Sequence, residues 1–109
     1  MSLYLSRARY TAESYRAMLS KPEDRTAAVK ALFEASGQRL LHIWFSPTTC
    51  DVFMVSEGDI KSGATIEVVA MSTGAYSEVS VSELVTMQEL ANVMKNGAQI
   101  AAKFQTPGR

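Results

Sequence analysis

Ser46-Pro47-Thr48-Thr49-Cys50-Asp51 is a polar hexapeptide set between two apolar runs, residues 40–45 and 52–55, and it constrains the fold more than any other stretch. Two β-prone segments joined by a proline-bearing polar turn predict a β-hairpin. A loop over residues 47–50 pairs Phe45 with Val52 and Ile43 with Met54, and sets Trp44 opposite Phe53 and His42 opposite Val55. A slip of one residue would bring Asp51 against Phe45, a poorer cross-strand match. Side chains alternate along a strand. The hairpin therefore shows Leu41, Ile43, Phe45, Val52 and Met54 to one side, and Leu40, Trp44, Phe53 and Val55 to the other. Both faces are apolar, and both need a cover.

The flanking segments read as further strands and as helices. Residues 3–10 alternate, with Tyr4, Ser6, Ala8 and Tyr10 on one face and Leu3, Leu5, Arg7 and Arg9 on the other, which predicts a first strand. A helical region over 13–35 is expected to break at Ser20-Lys21-Pro22. Pro22 then opens the second segment, where a missing N–H costs nothing. In that segment Ala28, Ala31, Leu32 and Ala35 form the expected inward stripe, and Gly37 ends it. A further helix over 59–74 is expected to turn Ala64, Val68, Met71 and Ala75 inward, with Asp59 placed as its cap.

Residues 77–85 alternate Val79 and Val81 against Ser80 and Ser82 and form the fourth strand. Thr86-Met87-Gln88-Glu89 has capping-box spacing, and the helix it opens carries Met87, Leu90, Ala91, Met94, Ala98 and Ala101 as a stripe. Asn96-Gly97 is a candidate break, and the tail from Thr106 to Arg109 is expected to fray. The order β-α-β-β-α-β plus a terminal helix is α+β. It predicts a ferredoxin-like fold, a four-stranded antiparallel sheet with its helices on one face.

A chain of 109 residues has room for one core, with 1–86 as the ferredoxin-like part and 87–109 as its helical extension. Two helices cover one sheet face. The expected cover for the other is a second copy of the chain, which gives a dimeric α/β barrel with the terminal helix packed at its edge. The alternative cover is the terminal helix folded back onto its own sheet.

Charge narrows the partners. Eleven basic residues balance eleven acidic ones without a block of like charge, so neither a nucleic-acid groove nor a basic membrane patch is expected. No apolar run approaches the roughly 20 residues of a membrane span. The amino terminus lacks the pattern of a secretory signal, which makes the cytoplasm the expected compartment. With Cys50 as the only cysteine, no internal disulfide and no thiolate zinc site is expected. Phosphate-binding glycine loops, the dinucleotide fingerprint, GxSxG and HExxH are all missing, so no cofactor is expected.

Several residues are candidates by type and place. His42, the only histidine, lies on the hairpin face of Trp44 and is either a general base in a cavity or a hydrogen-bonded interface residue. Cys50 is a turn cysteine. His42 lies four residues from the strand end, about 13 Å at strand rise, too far to activate it within one chain. Asp51 and Asp59 are expected to hydrogen-bond backbone amides, and with Glu57 they lack the spacing of a hard-metal site, so no metal is expected. Arg7 and Arg9 share a strand face and could hold a carboxylate, or lie at a solvated sheet end. Tyr10, Trp44 and Phe53 are candidates for an apolar pocket wall, and Tyr76 joins them by type.

The chain resembles the GYD-domain family. The likeness runs through Tyr10-Thr11, Pro22 with Arg25, Gly37, Asp51-Val52, Glu57 with Asp59, and Gly74. Residues 84–104 look like the carboxy-terminal extension of a subset of that family. The resemblance implies a ferredoxin-like fold, a dimeric α/β barrel and a function that is largely unassigned. Where the family has Gly and Tyr before the Asp, this chain has Thr49-Cys50-Asp51, so a family tyrosine has no counterpart here. Without the glycine the turn is expected to be looser. The function expected is a homodimeric small-molecule-binding or interaction module. The alternative is a cofactor-free oxygenase or isomerase in a barrel cavity, with His42 as base and Trp44, Phe53 and Tyr10 as its wall.

Overall fold

In a computed structural model, residues 2–108 are described; Met1 and Arg109, the last residue of the expected frayed tail, lie outside the described residues. The chain runs β1 (Ser2–Tyr10), α1 (Ala12–Ser20), α2 (Thr26–Ala35), β2 (Arg39–Ser46), β3 (Asp51–Gly58), α3 (Ile60–Ser72), β4 (Tyr76–Leu84) and α4 (Met87–Ala101). The strands form one open antiparallel four-stranded sheet in the order β2-β3-β1-β4. This α+β arrangement is compatible with the ferredoxin-like fold.

The hairpin has the expected register: Phe45 pairs with Val52, Trp44 with Phe53, Ile43 with Met54 and His42 with Val55. The turn is tighter than a glycine-free sequence suggested. The Cys50 N–H donates to the Ser46 carbonyl at 2.8 Å, and Cys50 itself takes the left-handed conformation at φ 60°. One feature of β2 escapes the alternation argument. The register shifts between Leu40 and His42, so Leu40 pairs with Ser56 and sits on the helix-covered side instead of beside Trp44. The bulged residue is Leu41.

The core lies between the sheet and α2 and α3, with α2 over the β2 side and α3 over the β4 side. Ala8, Val29, Phe33, Val52, Met54 and Ile66 form its centre. The inward stripe of α2 is Val29, Leu32 and Phe33, while Ala28, Ala31 and Ala35 are exposed. Apolar residues occur on more than one face of this helix, and the bulkiest pair wins the core because burial scales with apolar area. Pro22 lies in the linker between α1 and α2 and does not open the second helix. The N-cap is Arg25, which makes no side-chain cap bond; the residue before it, Asp24, instead accepts from the Thr26 N–H through Oδ1 at 2.9 Å. At the other end the Gly37 N–H donates to Glu34 O and the Gln38 N–H to Phe33 O, a Schellman closure with Gly37 at φ 93°.

Asp59 caps α3 as expected, accepting from the Ser62 N–H at 2.8 Å. The face that α3 buries is Ser62, Gly63, Ile66 and Ala70, so Val68 and Met71 point outward and the expected stripe is replaced. Close approach sets this phase. A Cβ on Gly63 would lie 3.3 Å from Gln38 Nε2, and one on Gly58 2.7 Å from Gln38 Cγ. Gln38 is buried here, its Oε1 accepting from Ser56 Oγ at 2.6 Å and its Nε2 donating to Asp59 O at 3.3 Å.

The capping box of α4 forms in full, and Asn96-Gly97 does not interrupt the helix. This helix buries no residue, and it helps stretch the molecule to 63 × 30 × 25 Å. It does not fold back as a cover for its own sheet.

Two stability effects follow from these contacts. Gln38→Ala leaves the Ser56 hydroxyl buried and unpaired, and should lower the urea-derived unfolding free energy by about 1–3 kcal/mol. Cys50→Gly should raise it by about 0.5–1 kcal/mol, because relief of a left-handed L-residue, roughly 1–2 kcal/mol, outweighs the added chain entropy of glycine. A Cys50→Gly protein less stable than the parent would mean the turn does not carry this strain.

Candidate functional site

The strands divide the candidate residues between two surfaces. Away from the helices the sheet presents Leu3, Leu5, Arg7 and Arg9 from β1, and Asp51, Phe53, Val55 and Glu57 from β3. His42 and Trp44 from β2 and Leu84 from β4 belong to the same face. Among the described residues no helix covers it: Trp44 is 57% exposed, Leu84 38% and Leu3 37%. His42 stacks on Trp44 with ring centroids 4.8 Å apart and planes 9° from parallel, and both side chains are exposed.

The charges on this face are neutralised within the chain. Asp51 is buried, although it sits at the hairpin end of the face. Its Oδ1 accepts from Arg7 Nη1 at 3.0 Å, and Arg9 Nε lies 3.3 Å away as an ion pair without hydrogen-bond alignment. Arg9 Nη2 donates to the Thr49 carbonyl at 2.9 Å, and Arg7 also reaches Glu78 at 3.3 Å. Burial by itself would raise the Asp51 carboxyl. Hydrogen bonds from Thr49 and Arg7, with the charges of Arg9 and Arg7, outweigh it and hold the group below its ordinary 3.8. Arg7 and Arg9 thus tie the turn to β1. At the opposite end Arg39 pairs with Glu57 at 3.3 Å.

Tyr10 lies on the other surface, under the helices. Helix α1 buries no residue and leaves open space between itself, the start of α2 and the sheet end. Tyr10 pairs with Tyr76 across a bulge in β4, which stacks the two rings at 5.1 Å, and Tyr15 of α1 meets Tyr10 edge-on at 5.7 Å. Beside them is a cavity of about 330 Å³ lined by Tyr10, Ser14, Met18, Lys21, Glu23, Arg25 and neighbouring alanines. A cavity of about 220 Å³ runs from Tyr10 and Arg25 to Ile43, Phe45 and Trp44 at the edge strand. Another, of about 190 Å³, lies over Tyr76 between α2 and α3. Arg25 lines all three, and His42 lines none of them.

The Arg25 Nη1 donates to Glu23 at 3.0 Å, a contact within the linker that raises its pKa. Burial first, and then Tyr10, push the Tyr76 phenol up to about 12, so it keeps its proton at neutral pH. The structure therefore gathers His42, Trp44, Phe53, Arg7, Arg9 and Asp51 on one side of the sheet and Tyr10 on the other. Within one chain Tyr10 does not complete a wall around His42. Cys50 is exposed at the turn, where its carbonyl lies 3.4 Å from the Tyr15 hydroxyl. Sequence reasoning passed over Arg25 as a site residue. Its signals there were its place beside the proline-bearing linker and its part, with Pro22, in the likeness to the GYD-domain family.

Among the described residues no group of three or more His, Cys, Asp or Glu could hold a metal ion, and no helix is long and apolar enough to cross a membrane. Compared with protein-family models and with curated proteins, the chain matches none.

The lowered Asp51 pKa makes stability depend on pH in a defined direction. A carboxylate whose folded pKa lies below its unfolded one adds stability that is fully present above the unfolded value and lost as pH falls through the folded one. The stability gap between the parent and Asp51→Asn should hold steady from about pH 7 to 5 and close below about pH 4 in urea melts. A gap that persisted at still lower pH would show that the pair with Arg7 and Arg9 contributes nothing through ionisation.

Proposed function

We propose that the protein is a homodimeric small-molecule-binding module of the GYD type, in which two sheets meet by their uncovered faces as a dimeric α/β barrel. The observation that carries this is the apolar face itself, with Leu3, Trp44 and Leu84 open to solvent between strands that are otherwise well packed. Burying each such side chain is worth about 1.5–3 kcal/mol. An apolar face of this extent is unusual on a chain that works alone.

A second copy is the occupant for two reasons. Helix α4 carries its own uncovered apolar surface, including Leu90, Val93, Met94 and Ile100, and only Val85 and Thr86 connect it to β4. Thr86 is committed to the capping box, so the direction in which α4 leaves is set locally. Each chain thus offers a sheet face and a helix face, and two-fold pairing can satisfy both at once. The ion pairs Arg39–Glu57 and Arg7–Asp51 also leave the middle of the sheet face neutral, so like faces meet without like charges opposed. In this arrangement His42 and Trp44 belong to the subunit interface. The ligand-binding half of the proposal is supported by the cavity of about 330 Å³ beside Tyr10 and Arg25, which is of small-molecule size.

Light scattering on the size-exclusion peak should give twice the 11.9 kDa chain mass at micromolar concentration. Trp44→Glu should raise the dimer dissociation constant on the order of 100-fold, and a Leu90→Glu, Met94→Glu pair on the order of tenfold. A wild-type monomer at these concentrations would overturn the reading.

A further inference from the structure

We propose that the cleft between α1 and α2 binds a small planar carboxylate with an aromatic or conjugated body, anchored by Arg25 and walled by Tyr10, Ala17, Met18 and Ala75. The proposal rests on reading the chain as a ligand-binding module, and it names the ligand class and its place.

Arg25 is where the cavities of about 330, 220 and 190 Å³ converge. Its guanidinium is a planar fork of five N–H donors, the geometry that takes a carboxylate by two parallel hydrogen bonds. Glu23, at 3.0 Å from Nη1, is half-exposed and lies two residues away in the same linker. Such a solvated local pair is worth little, so an incoming carboxylate can replace it. Of the other charges lining these cavities, Lys21 favours an anion, and Asp24 is engaged with the Thr26 backbone and hydroxyl. The Tyr10 ring, itself stacked on Tyr76, and the thioether of Met18 favour a flat apolar body. On the opposite sheet face Arg7 and Arg9 are already engaged by Asp51, Glu78 and the Thr49 carbonyl.

The test is an NMR titration of the full chain with benzoate and with benzamide, which has the same ring without the charge. Benzoate should give saturable shifts at Arg25 Nε, Tyr10 and Ala75, and bind at least roughly tenfold more tightly than benzamide. Arg25→Gln, checked as folded from its own spectrum, should abolish that preference, and Arg25→Lys should keep part of it. Three results would overturn the proposal: no saturable shift at millimolar benzoate, equal binding by Arg25→Gln, or shifts confined to the His42–Trp44 face. Light scattering on the same samples separates the two readings. A dimer that ignores benzoate sinks the cleft alone, whereas a monomer that binds it at Arg25 sinks the dimer and keeps the cleft.

Discussion

Register in the β2–β3 hairpin is the constraint on which the remaining structure depends. With Phe45 against Val52 and Trp44 against Phe53, every odd-numbered side chain from Asp51 to Glu57 faces away from the helices. Val52, Met54 and Ser56 face toward them. A slip by one residue would exchange these sets, placing Asp51 under the helices and Ser56 outside. The left-handed Cys50 holds the register at the turn, and the Arg7–Asp51 pair holds β1 to the same end. At the far end the buried Gln38–Ser56 hydrogen bond does so from the α2–β2 junction. Three unrelated kinds of interaction thus enforce one alignment, and consistency of that sort makes a sequence specify a single fold.

Much of this was legible because strand alternation is a strict period of two. Residue 44 opposite 53 leaves no freedom about which side Trp44 takes, and the structure agrees. Leu40 escaped because a bulge at Leu41 inserts an extra residue, and nothing in a run of consecutive apolar residues marks where that occurs. The helices were harder for a related reason. In α2 the alanines form a stripe as regular as that of Val29 and Phe33, and in α3 Val68 and Met71 compete with Ile66 and Ala70. A helix with apolar residues on several faces has no unique phase until its neighbours choose one. For α3 the choice follows from the space that Gly58 and Gly63 leave for Gln38.

The candidate site divides along the same line. His42, Trp44, Phe53, Arg7 and Arg9 lie on strands, so alternation alone places them on a common face. The cleft is made of something alternation does not describe: the gap left where α1 fails to bury a residue and the 21–25 linker turns away from the sheet. Arg25 becomes a lining residue only through that gap. Tyr10 was a pocket candidate by chemistry, and its partner is a second tyrosine brought opposite by the shift between Arg9 and Tyr10 in the β1–β4 pairing.

The two surfaces are joined at consecutive residues of β1. Arg9 belongs to the cluster around Asp51 on the uncovered face, and the next residue, Tyr10, lies in the cleft. Tyr15, on α1, touches Tyr10 by its ring and the turn by its hydroxyl, 3.4 Å from the Cys50 carbonyl. A ligand that orders Tyr10 therefore acts on a residue covalently joined to the ion-pair cluster that borders the proposed dimer face. Energetic coupling requires that the ligand bind the two association states unequally. If dimerisation packs the Arg7–Asp51–Arg9 cluster more firmly, it also restrains Tyr10. The ordering cost of filling the cleft is then partly met before the ligand arrives, so by linkage a filled cleft should favour the dimer to the same degree.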